Sequence, residues 1–144
     1  MMRALFDTNV VLDVLLNREP HAQASAQAMA LVERGEVQGF LCATTVTTLF
    51  YLARRTLGTQ RAREQMAVLL RLFGVAPVTH LVLTDALDAG FSDYEDAVLH
   101  EAARHAGMHC IVTRNLQDFA AGRLVVWEPA EFLRGWRNNK DKLP

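Results

Sequence analysis

Lysine is almost missing from this chain. Of its 15 basic residues all but Lys140 and Lys142 are arginine, and those two stand at the end of the sequence. Any mechanism that needs a lysine within residues 1–139 is excluded. Cysteine is scarce as well. Cys42 and Cys110 lie in separate apolar runs (FLCA and CIVT), a usage that fits a reducing compartment. They are not spaced as a zinc site. No apolar run approaches the roughly 20 residues that span a bilayer. Met1-Met2-Arg3 leads directly into a strand pattern without the layout of a signal peptide, so the expectation is a soluble, cytoplasmic protein without membrane contact. No aromatic stripe offers a stacking platform for bases. The five histidines are scattered, form no ligand pair and read as surface or cap residues.

What is present points to one globular domain. There are 144 residues, 51% of them apolar, and the net charge is −1. The charge is uneven. Residues 1–72 hold 8 basic and 6 acidic groups, residues 73–144 hold 7 and 10. Strand-like and helix-like segments alternate along the whole length. Strands are expected at 3–7, 38–43, 75–78, 110–113 and 123–127. Helices are expected at 10–17, 21–34, 45–56, 60–73, 80–89 and 93–106, with a last one opened by Pro129. Such alternation predicts an α/β fold with a mostly parallel sheet. Residues 1–137 read as the domain and 138–144 as a polar tail.

In a parallel sheet the working crevice lies beyond the carboxyl ends of the strands, where strand order switches. The first strand ends on Asp7-Thr8-Asn9, so Asp7 stands on that edge. The helix at 93–106 leads into strand four and must start on the same edge, which brings Asp93 and Asp96, three apart and on one face. Glu95 is expected to point elsewhere. Strand four ends at Thr113, and Arg114-Asn115-Leu116-Gln117-Asp118 leaves it on that side. The threonines at 44, 45, 47 and 48 enter from strand two. Carboxylates without His or Cys form an oxygen-only site, suited to Mg²⁺ or Mn²⁺. The chemistry that suits such a site is in-line attack of water on a phosphodiester, with one or two ions stabilising the attacking and leaving oxygens. Structural roles compete at each position: Asp7 as a helix cap, Asp93 or Ser92 as the N-cap of the helix at 93, Asp96 as a dipole partner, Asp118 as a loop acid beside Phe119. Asp13, Asp85 and Asp88 read as solvated helix positions.

At these residues the sequence resembles the PIN domain family. DTN at 7–9 is similar to that family's opening signature, DAVLHEAARHAG (96–107) to its third acidic motif, and IVTRNLQDF (111–119) to its fourth. EPAEFL (128–133) is similar to the ending of one bacterial branch. The resemblance implies a sheet in the order 3-2-1-4-5, with Cys42 and Cys110 on strands that are not neighbours. It implies a Mg²⁺- or Mn²⁺-dependent ribonuclease, of the kind that serves as the VapC-like toxin of a toxin–antitoxin pair, a homodimer inhibited by a small antitoxin. Carried across, Asp7 and Asp96 match the principal metal-binding acids, Asp118 the fourth-motif acid, and Asp93 an acid one turn before Asp96. Thr8, Asn9, Thr113 and Asn115 are expected to position ligands and phosphate. Arg18 and Arg114, with Arg54 and Arg55, are expected to guide the RNA backbone, although Arg54 and Arg55 equally fit a solvated helix end. One position departs from the pattern. Most PIN nucleases carry a Glu on the helix after strand two, and Thr48 stands there, with no acid between Glu36 and Glu64. Asp93 restores a fourth carboxylate. The competing reading is a catalytically inactive PIN fold that binds RNA or protein. A haloacid-dehalogenase-like phosphatase or a receiver domain needs a lysine that residues 1–139 lack.

Overall fold

In the computed structural model, which describes residues 1–139, five short strands run parallel in the order β3-β2-β1-β4-β5. They are β1 (Arg3–Phe6), β2 (Gln38–Cys42), β3 (Gly74–Ala76), β4 (Cys110–Val112) and β5 (Val125–Trp127). This is the expected order. Strand β1 pairs with β2 on one side and β4 on the other, so the direction of strand addition reverses beside β1. The helices are α1 (Thr8–Leu15), α2 (Ala22–Glu33), α3 (Ala43–Leu57), α4 (Thr59–Leu72), α5 (His80–Leu87), α6 (Tyr94–His105) and α7 (Pro129–Asn139). Residues 140–144, most of the stretch read as a polar tail, lie outside the described residues.

Side chains of a strand alternate between faces, and β1 shows why the sheet needs helices on both. Ala4 and Phe6 belong to the core that takes in Val10, Leu31, Leu49, Leu69 and Phe132, from α1, α2, α3, α4 and α7. Leu5, between them, belongs to the other core, with Val82 and Ala86 of α5 and Ala97 and Ala102 of α6. Phe6 meets the rings of Phe73 and Phe132 edge-on, with centroids 5.4 and 6.0 Å apart. The alanines of α6 leave no bulk between that helix and the sheet; Ala97, Ala102 and Ala103 are all buried. No helix among the described residues is long and apolar enough to cross a membrane.

Three local differences matter for the site. β1 stops at Phe6 and α1 begins at Thr8, so the expected gap between strand and helix is the single residue Asp7. A short 3-10 helix, Leu116–Phe119, follows β4 where a loop was expected. β5 starts at Val125 and not at 123. The backbone N–H groups of Arg123 and Leu124 donate to His100 Nε2, at 3.1 and 3.3 Å, and not to the sheet.

Candidate active site

Asp7 joins the sheet to α1. Its N–H donates to the Val112 carbonyl at 2.9 Å, which extends the β1–β4 pairing by one bond. Its Oδ1 accepts from Thr8 N–H at 2.7 Å and caps α1. The edge role and the cap role are therefore held by one side chain at once. Oδ2 accepts from Thr113 Oγ1 at 2.8 Å and from Asn9 Nδ2 at 3.3 Å. The Thr113 hydroxyl, fully buried, also accepts from Asn9 Nδ2 and from Asn115 N–H. Asn9 Oδ1 accepts from Arg114 N–H at 3.2 Å. Asp7, Asn9, Thr113, Arg114 and Asn115 thus form one hydrogen-bonded unit between β1 and β4, and Asn115 enters it through its backbone.

The head of α6 supplies the other acids. Asp93 is the N-cap, and its Oδ1 accepts from Asp96 N–H at 3.0 Å. Partial burial, and then the charges of Asp93, Asp7, Asp118 and Glu95, push the Asp96 carboxyl up to about 7. Burial also raises Asp7, against the bonds from Thr113 and Thr8, and Glu95 and Asp118 add to the rise. Glu95, expected to point away, raises both Asp7 and Asp96 through its charge. Helical side chains lean toward the N-terminus, so in the first turn a residue one position off the facing stripe still overlooks the edge. Asp118 is exposed on the 3-10 helix, and Phe119 beside it is in the core. Among the described residues none of Asp7, Asp93, Asp96, Asp118 and Glu95 forms an ion pair.

Two further expectations are corrected. Asp13 is not solvated: it is 0% exposed and holds both arginines of this region. Its Oδ1 lies 2.8 Å from Arg18 and its Oδ2 2.6 Å from Arg114. The signal was an acid inside an apolar helix (VVLDVLL), which needs a cation to be buried. His100 is likewise no surface residue; it is 2% exposed, and Nδ1 lies 2.7 Å from Glu101. On α3, Thr45 is the hydroxyl that meets the DTN segment, accepting from Thr8 Oγ1 at 3.2 Å. Thr48 donates to the Thr44 carbonyl one turn back. Arg54 and Arg55 are exposed at the end of α3.

Among the described residues, one trio of His, Asp or Glu side chains brings its ligand atoms within 4.8 Å of one another, and it lies elsewhere: Asp85, Glu101 and His105. Arg104 already occupies it, 3.2 Å from Asp85 and 2.9 Å from Glu101. Burial alone would raise the Glu101 carboxyl, but the bonds from Arg104 and His100 hold it below its usual range. The edge acids are the reverse case. They are all oxygen donors, they repel one another, and among the described residues no cation pairs with them, so the residues present fit a hard divalent ion.

The sequence model of the PIN domain matches residues 3–117. The chain belongs to the PIN domain family. The fold of this PIN domain is similar to that of a toxin–antitoxin complex from Klebsiella pneumoniae, at 24% identity and a TM-score of 0.68, covering 89% of this chain and 98% of that one. It is similar to FitAcB from Neisseria gonorrhoeae, at 19% identity and a TM-score of 0.66, over 88% and 97%. It is also similar to VapC20 of Mycobacterium tuberculosis, a toxin that cleaves the sarcin–ricin loop, at 15% identity and a TM-score of 0.60, over 75% and 86%. No curated protein sequence matches the chain.

Proposed function

We propose that this PIN domain is a Mg²⁺- or Mn²⁺-dependent endoribonuclease, the toxin of a toxin–antitoxin pair, acting in the cytoplasm as a homodimer that a small antitoxin inhibits. The observation that carries the reading is the set of carboxylates at the switch in strand order, which make no ion pair among the described residues. Asp7 and Asp96 are the principal ligands, with Asp118 and Asp93 completing the set. A bound divalent ion would supply Lewis-acid stabilisation to the oxygens of a phosphodiester undergoing displacement. Thr113 and Asn9 fix the direction of the Asp7 carboxylate. Asp96, near half-protonated at neutral pH, holds a proton that must leave before it binds a cation. Asp13 anchors Arg18 and Arg114, so that their remaining N–H groups are directed to an RNA phosphate without free side-chain rotation. Thr8 Oγ1 donates to Thr45 and Thr48 Oγ1 to the Thr44 carbonyl, so each is left with oxygen lone pairs to offer to water or substrate. The likeness in fold to toxins and toxin–antitoxin complexes supports the biological setting.

Thr48, in place of the Glu that the family pattern places there, favours a second reading: an inactive PIN fold that binds RNA or protein. One experiment separates the two. Mn²⁺ is titrated into wild type and Asp96→Asn, with binding and cleavage of a mixed RNA pool followed together. We expect wild type to bind Mn²⁺ and cut RNA, and the variant to lose cleavage by at least about 100-fold with weakened binding. Wild type that neither binds nor cuts supports the inactive module.

A further inference from the structure

A cavity of about 390 Å³ opens between the end of α5, the middle of α6 and the chain that follows the 3-10 helix. Its walls continue the two segments that carry the edge acids. Phe91 lies just before Asp93, and Ala121 and Gly122 follow soon after Asp118. His100, on the floor, is one turn beyond Asp96 on α6. Most of this floor is already satisfied. His100 is bonded to Glu101 and to the N–H groups of Arg123 and Leu124, and Arg104 is paired with Asp85 and Glu101. These groups shape the cavity and are not free to hold a ligand.

Two charged side chains of the lining are in the opposite condition. Asp88 and Arg123 are exposed, and among the described residues neither forms an ion pair, with the other or with any third group. Phe91, half-buried, is fixed by ring contacts with His100 at 5.2 Å and Phe119 at 6.0 Å. At Gly122 the wall is bare backbone, since a Cβ there would come within 2.5 Å of His100 and 3.1 Å of Phe91. Asp85, Asp88 and Glu101 outnumber Arg104 and Arg123 in the lining, so an anion gains nothing, and Arg104 already stands where a cation would. What these groups favour is a neutral, flat ring with donors for a carboxylate and acceptors for a guanidinium.

We propose that this cavity takes a guanine base of the RNA, from a nucleotide beside the bond that is cut; the assignment rests on the ribonuclease reading above. Guanine alone among the four bases carries two adjacent donors, N1–H and the N2 amino group, next to two adjacent acceptors, O6 and N7. Its donors meet the Asp88 carboxylate, and O6 and N7 accept from the Arg123 guanidinium. The Phe91 ring supplies the stacking surface. Adenine brings no such pair of donors to Asp88, and the pyrimidines lack the N7 acceptor. Asp88 and Arg123 are therefore specificity residues, and cleavage falls next to guanosines.

The test follows backbone amide resonances of the full chain in EDTA, with guanosine, inosine and adenosine as probes. We expect guanosine to shift the amides of residues 121–123 to saturation. Inosine, which lacks the N2 amino group, should bind about threefold to tenfold more weakly, and adenosine more weakly still. Asp88→Asn should weaken guanosine binding and bring guanosine and inosine to within about twofold of each other, because the amino group no longer has a carboxylate to meet. Arg123→Ala should weaken both nucleosides alike. Both side chains are exposed and enter no ion pair among the described residues, so both variants should fold as the wild type does. Unmoved amides at 121–123, equal shifts from guanosine and adenosine, or a guanosine–inosine difference that survives Asp88→Asn would overturn the assignment. Cleavage of a mixed RNA pool in Mn²⁺ is followed separately, and cuts without preference for a flanking guanosine would also overturn it. Absence of any cleavage would remove the nuclease reading, while the nucleoside result still decides what the cavity holds.

Discussion

Helix α6 carries acids along its length, and its two halves treat them in opposite ways. At its head, Asp93, Glu95 and Asp96 face Asp7 and Asp118 with no cation among the described residues, and Asp96 is pushed up to about 7. Further along, Glu101 is met by Arg104 and His100, and Asp85 by Arg104 and His105, and the Glu101 carboxyl is lowered. Spacing of ligand atoms alone would choose the second group as a metal centre. Charge favours the first, the basis of the proposed metal site. A cluster whose counter-ion is an arginine of the same helix gains little from a metal, because the metal must first displace the guanidinium. The second group has a structural task instead. His100, held by Glu101, accepts the two N–H groups that end the approach to β5, and a Cβ at Gly122 would come within 2.5 Å of its Nε2.

The largest expected effect tests this contrast directly. Asp7→Ala should abolish RNA cleavage, by at least about 100-fold, and strip Mn²⁺ binding. Glu101→Ala should leave both nearly intact per folded molecule. It should cost about 2–3 kcal/mol of stability, below the value for a fully buried pair because the Arg104 side chain is 36% exposed. Denaturant titration and Mn²⁺ binding on the same two proteins check the pair. If Glu101→Ala were the variant that lost Mn²⁺, the comparison would be reversed and the Asp85 cluster would be the metal centre.

A smaller effect follows from protons. Asp96 moves from 3.8 to about 7 on folding, so the folded state binds the extra proton. The stability from that difference is fully present below pH 4 and is lost as pH rises through 7; Asp7, also raised, contributes with the same sign. Glu101, lowered, has the opposite sign: its contribution is present above 4.5 and is lost as pH falls. In EDTA the wild type should therefore lose stability between pH 5 and pH 8. Asp96→Asn should lose less, by about 1–2 kcal/mol after allowing for the solvent exposure of this side chain. Metal binding runs against the proton, so Mn²⁺ affinity should fall about tenfold for each pH unit below 7. Affinity that is flat from pH 5 to 7 would show that Asp96 is not a ligand.

Much of this molecule was legible in its sequence because local pattern and site chemistry agree at β1. Its alternating side chains predict a two-faced sheet, and the acid that ends the apolar run marks the edge. The same logic assigned Asp93 and Asp96 to that edge, since a helix feeding a parallel strand has one possible starting edge, and Asp118 to it because the chain leaves β4 there. What escaped were polar residues whose partners lie far away in sequence. Asp13 is explained by Arg114, 101 residues on, and His100 by the backbone of Arg123 and Leu124. Helical periodicity reads one face of one segment and carries no information about a cation arriving from another strand. Glu95 escaped for a different reason: in a first turn, a 100° rotation does not remove a long side chain from the edge.

The smallest expected effect concerns Thr48. The contact of Thr8 Oγ1 with Thr45 Oγ1, 3.2 Å, sets the first turn of α3 against the DTN segment. Thr48 is three residues on and shares that face. Its hydroxyl is engaged with the Thr44 carbonyl and brings no charge to the edge. Thr48→Glu would add a carboxylate to a cluster that already repels itself, so in EDTA at pH 8 it should destabilise the protein by a few tenths of a kcal/mol. With Mn²⁺ present the sign should reverse, with affinity raised about threefold, because each added carboxylate ligand strengthens a hard-ion site. Isothermal titration of the two proteins side by side decides the matter. Unchanged affinity would mean that Asp93 already fills the fourth position, and that α3 serves this edge only through the Thr8–Thr45 contact.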